Sequence, residues 1–331
     1  MYTILKQLAT YTAVSGGEQT LLCKVKALLE PFTDEMHTDA LGNLIAVRRG
    51  NGANPKKLML SAHTDEAGLI VTYIEENGLI RFGKIGDINL SAGAFTLVQS
   101  ERGVRGVLTA DAHAEPDYTP DKMYIDIGAK DRRAAARRVQ IGDRFALHPS
   151  LIRLGNKKIC GTLLGKIESA LLIDIARKLT APKDDVYFVF TAQSEAGHRG
   201  AKSAAFTVSP DLALVFDLTP ANADASPRLG DGAALLYKSA SGLCDLRLAK
   251  RLLALAKQEE IAVQPVAISE RSTDISAIQT VYAGCAAAAL TIPTANMHTA
   301  CEIADLNDVK ACAALALKLI QEGIEYGNRT F

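Results

Sequence analysis

The sequence predicts an α/β protein in which a small β-barrel domain is inserted into a larger domain with a parallel sheet. Continuous apolar segments at residues 58–62, 185–191 and 212–216 have the composition of strands that are buried on both faces, as in parallel sheets. Between residue 69 and about residue 154, short β-like segments alternate with glycines and polar turns, which is typical of a small barrel or sandwich. We therefore predict an inserted β-barrel domain over residues 69–155, between the two parts of the large domain at residues 1–68 and 156–331.

Hydrophobic periodicity and turn residues predict the elements of each part. The first part contains two helices and two strands, predicted at residues 4–11, 18–32, 44–47 and 58–62. The inserted domain contains six short strands, predicted at residues 70–74, 80–82, 95–98, 104–108, 123–127 and 144–147. Its one helix is predicted at residues 134–139. In the last part helices and strands alternate. The helices are predicted at residues 169–179, 200–206, 245–258, 274–278 and 307–323, and the strands at residues 185–191, 212–216, 263–268 and 286–292.

The composition narrows the class of protein. Lysine plus arginine and aspartate plus glutamate both number 37, so no basic surface for nucleic acid or anionic membranes is indicated. No apolar segment has the length of a membrane span, and the N-terminus does not resemble a signal peptide. The six cysteines are scattered, which is typical of thiols in a reducing compartment. We expect a cytoplasmic protein without nucleic-acid or membrane partners.

The strand at residues 58–62 ends in His63 and Asp65, which lie on the same face because strand side chains alternate. In open α/β sheets, ligand sites lie beyond the carboxyl ends of the strands. A carboxylate beside an imidazole is a common partner of a metal-bound histidine. The alternative is a histidine at the edge of the core, hydrogen-bonded to a nearby acid, and the pair alone favours that alternative.

Polar residues after other predicted strands make a metal site the better interpretation of His63 and Asp65. Glu195 and His198 follow the strand at 185–191, Asp217 follows the strand at 212–216, and His298 follows the strand at 286–292. A single acid after a strand is usually a turn or cap residue. Several imidazoles and carboxylates at one sheet edge instead indicate a site for zinc, cobalt or manganese.

These motifs resemble those of the TET-type aminopeptidases, a family of glutamyl, leucyl and deblocking aminopeptidases with two cocatalytic metals, some once labelled endoglucanases. The resemblance covers nearly the whole chain, and its matching segments lie at residues 13–16, 39–44, 63–66, 124–129, 197–201 and 293–298. It implies a zinc-exopeptidase-like α/β/α catalytic domain interrupted by a β-barrel domain. It also implies a peptide substrate and a homo-oligomer, from a dimer up to a dodecamer.

The resemblance assigns a role to each matching residue. His63 and Asp217 are expected to bind the first metal, and Asp65 to orient His63. Glu195 and His298 are expected to bind the second metal. Thr273 and Asp274 match a turn that supports the site without binding metal.

Two positions depart from the family pattern. Leu164 stands where the family has a bridging aspartate, and Ser194 stands where it has the glutamate that acts as general base. A catalytic zinc normally has three protein ligands, so the loss of the bridge should lower metal occupancy. Loss of a general base typically removes about 10²–10⁴ in rate.

Glu168 and His198 are candidate replacements for the missing groups. Glu168 lies one helical turn beyond Leu164 and faces the same way if the helix begins early; otherwise it is a first-turn acid. His198 is either a ligand or base, or a surface loop residue. We predict no metal role for His37, His113 or His148.

Two functional hypotheses follow. The first is a metal-dependent aminopeptidase with a degenerate site, in which Asp65 and Glu195 serve catalysis and a divalent metal, zinc before cobalt or manganese, activates water. The alternative is a catalytically inactive relative that acts as a binding or regulatory subunit. A glycosidase needs two carboxylates that flank a sugar bond, and nothing in the sequence favours this over metal ligation.

Overall fold

The fold was determined as a computed structural model that describes residues 1–110, 118–221 and 227–324. The described helices are α1 (Tyr2–Leu8), α2 (Gln19–Leu29), α3 (Leu90–Gly93), α4 (Arg132–Ala136), α5 (Lys166–Lys178), α6 (Arg199–Val208), α7 (Leu246–Gln258), α8 (Ile275–Gln279) and α9 (Leu306–Glu322). The strands of the large sheet are β1 (Glu35–Thr38), β2 (Leu44–Arg48), β3 (Lys57–His63), β10 (Leu151–Leu154), β11 (Lys158–Gly161), β12 (Asp185–Thr191), β13 (Leu212–Pro220), β14 (Ala233–Lys238), β15 (Val263–Ala267), β16 (Ala286–Ala295) and β17 (Glu302–Asp305). The remaining strands are β4 (Gly68–Ile74), β5 (Ile80–Ile85), β6 (Leu97–Ser100), β7 (Arg105–Ala110), β8 (Met123–Asp126) and β9 (Arg144–Leu147).

The centre of the large sheet is parallel. Strand β3 lies between β12 and β13, and β13 pairs in parallel with β16. The register places Thr191 opposite His63 and Phe216 opposite Ala62. Because these strands run the same way, the residues that follow them meet at one edge of the sheet.

The sheet has a hydrophobic core on each face. Leu58 and Leu60 of β3 pack in a cluster with helices α1, α2, α5, α7 and α9, while Met59 packs in a second cluster with α6 and α8. This alternation along one strand is the expected result of the two-residue period of β-structure. The sheet is therefore covered on both sides, which confirms the predicted α/β class.

Strands β4 to β9 form a closed barrel in the order β4-β5-β8-β7-β6-β9. Its interior is filled by buried side chains such as Leu108, Ile125 and Phe145. The structure thus distinguishes the barrel from a sandwich, the two alternatives that the turn-rich segment left open. Strand β10 pairs with β11 in the large sheet rather than with the barrel. The division into domains at residues 68/69 and 155/156 stays a prediction.

Several predicted boundaries were wrong, among them the start of α5 and the ends of β13 and β16. Helix α5 begins at Lys166 rather than at residue 169, because Gly165 turns the chain in a left-handed conformation with φ of +74°. Ser169 is then inside the helix, where its hydroxyl donates to the Gly165 carbonyl at 2.5 Å. Strand β16 continues through Pro293 to Ala295. Pro293 lies opposite Thr219 of β13, between the residues that pair with β14 and those that pair with β17.

Several strands were not predicted from the sequence, namely β1, β10, β11, β14 and β17. Strands β1 and β10 are both mostly exposed, and neither has the alternation of apolar and polar residues that marks a strand. Within the described ranges, no helix is long and apolar enough to cross a membrane.

Candidate metal centre

Three buried side chains meet at the carboxyl edge of the central strands. His63 ends β3, Asp217 lies in β13, and Glu168 lies in the first turn of α5. The Nε2 atom of His63 is 3.5 Å from Asp217 Oδ1 and 3.9 Å from Glu168 Oε1. One ligand atom from each residue lies within 4.8 Å of the other two, and all three residues are buried. We call this group the His63–Glu168–Asp217 triad.

The chain orients the imidazole of His63 so that Nε2 faces the two acids. Its Nδ1 lies 3.0 Å from the main-chain oxygen of Asp65 and 3.6 Å from the Asp65 carboxylate. Nδ1 therefore carries the hydrogen. Burial disfavours the charged imidazole, but hydrogen bonds to Asp217 and Asp65 outweigh burial and raise the pKa of His63 well above its ordinary value. The surroundings of this nitrogen favour a cation.

The carboxylate of Asp65 holds the segment that follows β12. It accepts hydrogen bonds from the amides of Ser194 and Glu195, at 3.0 and 2.8 Å, and from the hydroxyl of Ser15. Asp65 thus links the end of β3 to the neighbouring strand. The sequence predicted its contact with His63 but not these backbone contacts.

Glu168 is the residue of the triad that most needs a further partner. Its side chain is fully buried, and neither carboxylate oxygen has a hydrogen-bond partner among the described residues. Burial raises the pKa of Glu168 to about 8. An unpaired buried carboxylate is costly, whereas a divalent cation would neutralise it and fill its coordination. One imidazole and two carboxylates are a ligand set that suits zinc, so the triad fits a divalent metal.

Two buried acids fix the turn into α5. Lys166 pairs with Glu66 at 2.6 Å, and Glu66 also accepts from the amide of Ala13 at 2.8 Å. Glu302 accepts from the amides of Leu163 and Leu164 at 2.7 and 2.9 Å, and from the His298 amide at 2.8 Å. These contacts hold the first turn of α5 against the end of β3, so Glu168 is placed beside His63. No pattern in the sequence pointed to Lys166 or Glu302.

Glu195 and His298, the predicted ligands of a second metal, are joined by an arginine. Arg271 hydrogen-bonds through Nη1 to Nε2 of His298, and its Nη2 lies 3.9 Å from Oε1 of Glu195. The other oxygen of Glu195 accepts from the amide of Asp87 at 3.2 Å. Burial and the charge of Arg271 lower the pKa of His298 to about 4, so this imidazole is neutral. Arg271 therefore contacts both of the residues that were predicted to bind a second metal.

Buried Ser194 and Asp274 form a separate cluster with His198, whose side chain is 20% exposed. The hydroxyl of Ser194 donates to Asp274 Oδ1 at 2.8 Å, and Nδ1 of His198 lies 2.8 Å from the same oxygen and 3.1 Å from Ser194 Oγ. A serine nucleophile needs the second imidazole nitrogen as its base, but here the serine and the acid share Nδ1. The cluster is therefore not a serine-hydrolase triad, and Asp274 holds the side chains of Ser194 and His198.

An open pocket of about 260 Å³ lies on the side of Arg271 and Ser194. Its lining includes Glu195, His198, Arg271 and His298. Leu164 is buried, lines a separate small cavity together with His298 and Glu302, and its side chain offers no ligand atom. Of the histidines given no metal role, His37 is exposed on β1, His148 lies after β9, and His113 is outside the described residues.

The chain is similar to known aminopeptidases along its whole length. The family described as M42 glutamyl aminopeptidase matches residues 42–315. A putative aminopeptidase of Acetivibrio thermocellus is 32% identical over 331 residues, with 98% of each chain covered.

Solved structures show the same architecture. An aminopeptidase from the archaeon Desulfurococcus kamchatkensis aligns with a TM-score of 0.92 at 27% identity, covering 97% of this chain and 94% of that one. The TET1 peptidase of Pyrococcus horikoshii, which assembles into a tetrahedron or a large octahedral shell, aligns with a TM-score of 0.88 at 27% identity, covering 97% and 99%. Together with the family match, these similarities show that the chain belongs to the M42 glutamyl aminopeptidase family.

Proposed function

We propose that the chain is an aminopeptidase that removes N-terminal residues from peptides with the help of one divalent metal ion. The observation that carries the proposal is the buried His63–Glu168–Asp217 triad, in which both oxygens of Glu168 lack a partner among the described residues. The aminopeptidase family and its relatives supply the reaction class. Zinc suits the ligand set best, and cobalt and manganese are alternatives.

Each residue of the triad has a defined task. His63 would present Nε2 to the ion because Asp65 holds Nδ1, while Glu168 and Asp217 would supply carboxylate oxygens. When bound, such an ion lowers the pKa of a water molecule and polarises the peptide carbonyl. Glu168 thus takes over the third-ligand role that Leu164 cannot fill.

Glu195 is the proposed proton acceptor. It lines the open pocket, and burial raises the pKa of its carboxyl above the ordinary value. A base works best when its pKa lies near the working pH, which favours this carboxylate over an exposed one. Asp65 is a positioning residue, because it holds both His63 and the amide of Glu195. His198 supports the pocket wall through Asp274.

The test is an assay of aminoacyl-arylamide hydrolysis by protein loaded with zinc, cobalt or manganese. We expect activity that a chelator abolishes and that Glu168→Gln or His63→Asn lowers at least about 100-fold. Loss of a proton-transfer group typically costs about 10²–10⁴, so Glu195→Gln should fall in that range. Glu76→Gln, at a side chain that is 83% exposed on the barrel, is the matched control and should keep full activity.

Two outcomes would contradict this function. Hydrolysis that persists in Glu168→Gln or after chelation would show that the triad is not the metal site. Folded protein that binds metal at the triad yet hydrolyses none of a broad panel of arylamides and peptides would favour the inactive binding or regulatory subunit.

We also propose that the protein is a homo-oligomer of the cytoplasm. The assembly of the Pyrococcus horikoshii relative into closed shells supports this proposal. Sedimentation velocity should show a species much larger than the 35.3 kDa chain, and a monomer at micromolar concentration would contradict it.

A further inference from the structure

We propose that the guanidinium of Arg271 takes the place of a second metal ion, so that this centre holds a single divalent cation. The inference rests on the proposed function and specifies its metal requirement. Arg271 lies between Glu195 and His298, the two residues that the family resemblance assigns to the second metal.

The contacts of Arg271 use the atoms that a second ion would need. Nη1 bonds to Nε2 of His298, and Nη2 faces Oε1 of Glu195 at 3.9 Å. The second oxygen of Glu195 is bonded to the amide of Asp87. A guanidinium is planar, carries five N–H donors and does not lose its proton in proteins. It therefore donates to the imidazole and at the same time places its charge beside the carboxylate, without any dissociable ion.

Charge also argues against a second ion beside Arg271. The side chain of Arg271 is only 16% exposed, so its charge is poorly screened by solvent. The family offsets the repulsion between two cations with a bridging carboxylate, but the leucine at position 164 has no charge to do so. At a separation of about 4 Å, two unit charges repel by about 4 kcal/mol at an effective dielectric constant of 20, and a divalent ion doubles this.

The replacement preserves one part of the chemistry. A fixed positive group near the triad can stabilise negative charge that develops on a substrate oxygen, as preorganised donors do in other hydrolases. Unlike a metal, this group stays in place when a chelator is added. Metal binding to the protein should therefore be described by a single class of site.

The experiment measures bound cobalt and zinc per chain by equilibrium dialysis and mass spectrometry of the metal. We expect one ion in the wild-type protein and in Leu164→Asp, and two ions in the double variant Leu164→Asp/Arg271→Met, where the guanidinium is gone and the bridge restored. The matched control is Leu164→Asp/Arg251→Met, which removes another mostly buried arginine, 19% exposed, and should keep one ion.

Two ions in the wild-type protein, or in Leu164→Asp with Arg271 intact, would overturn the inference. One ion in the folded double variant would also overturn it. If that variant does not fold, the variant His298→Asn decides the question. The inference requires one bound ion per chain in both the wild-type protein and His298→Asn. A different number of ions in His298→Asn would refute it. Absence of any ion, or an ion that Glu168→Gln retains, contradicts the proposed function instead.

Discussion

At the scale of single residues, the triad depends on Glu168. The family resemblance marked Leu164 as a missing ligand, and only the early start of α5 turns Glu168 toward His63. Neither oxygen of Glu168 has a hydrogen-bond partner among the residues that the structure describes, and this is the reason to expect a cation beside them.

Replacing Glu168 by glutamine should remove the effect of metal on stability. A ligand that binds only the folded state stabilises it by about 2.7 kcal/mol when its concentration is 100 times Kd. Wild-type protein should therefore show a higher Tm with zinc, while Glu168→Gln should show the same Tm with and without zinc. Scanning calorimetry measures this, with Glu76→Gln as the control that keeps the shift. A zinc-dependent Tm in Glu168→Gln would contradict the assignment.

The His198–Asp274 pair should give a pH-dependent contribution to stability. Burial disfavours the charged imidazole, but the hydrogen bond and charge of Asp274 outweigh burial and raise the pKa of His198 above 6.5. Burial likewise opposes ionisation of Asp274, but His198 holds the pKa of that carboxyl below 3.8. Because its pKa is raised, His198 stabilises the fold fully below pH 6.5, and this stabilisation is lost as the pH rises through the pKa of the folded state. Because its pKa is lowered, Asp274 stabilises the fold above pH 3.8, and this stabilisation is lost as the pH falls further.

The variant His198→Gln should therefore be least stable relative to wild type between about pH 4 and 6.5. A hydrogen bond between charged groups contributes about 1.5–3 kcal/mol, and the deficit should shrink as the pH rises toward 9. Urea unfolding across this range measures the difference in the free energy of unfolding. His37→Gln, at an exposed histidine of β1, should show no such trend. A deficit for His198→Gln that grows with pH would refute the ion pair.

At the scale of elements, the start of α5 is held by a buried ion pair. Lys166 is 1% exposed and Glu66 is 8% exposed, and their charged atoms are 2.6 Å apart. Removing one partner of a buried pair typically costs about 3–5 kcal/mol, because the other charge is left unpaired. Lys166→Met should cost this much, and Lys166→Met/Glu66→Gln should cost less than the single change. Guanidinium unfolding of the four proteins gives the coupling energy, and additive losses would contradict a coupled pair.

The left-handed turn at Gly165 is the second requirement for α5. A Cβ at Gly165 would lie 2.6 Å from the Thr64 carbonyl oxygen and 2.7 Å from that of Asp65. Gly165→Ala combines this clash with about 1–2 kcal/mol for a left-handed conformation, and should destabilise the protein and weaken zinc binding. Gly155→Ala is the matched control, since Gly155 has φ of +63° but open space around it. Equal losses in both variants would show that the approach to β3 does not matter.

The elements also show what the sequence can predict. The buried strands β3, β12 and β13 carry long apolar segments, so their positions and the meeting of their ends followed from the sequence. The start of α5 did not, because it depends on Gly165 and on distant Glu66. The contact of Arg271 with Glu195 and His298 depends on three segments far apart in the chain. No local pattern distinguishes that arginine from a surface loop residue.

At the scale of the whole molecule, the fold and the chemistry of the site are determined by different residues. The sheet and barrel depend on many apolar positions and remain those of the family, as the similarity of solved structures at 27% identity shows. The metal site depends on a few groups, and in the proposed centre Glu168 and Arg271 take the places of groups that the family has elsewhere. A relative with the same architecture can therefore operate with a different number of metal ions.

The most direct test of this account is an anomalous difference map from crystals grown with cobalt, recorded at the cobalt absorption edge. The account predicts one peak per chain, coordinated by His63, Glu168 and Asp217, and no peak between Glu195 and His298, where Arg271 should lie. Two peaks per chain, or a single peak bound by Glu195 and His298, would contradict it.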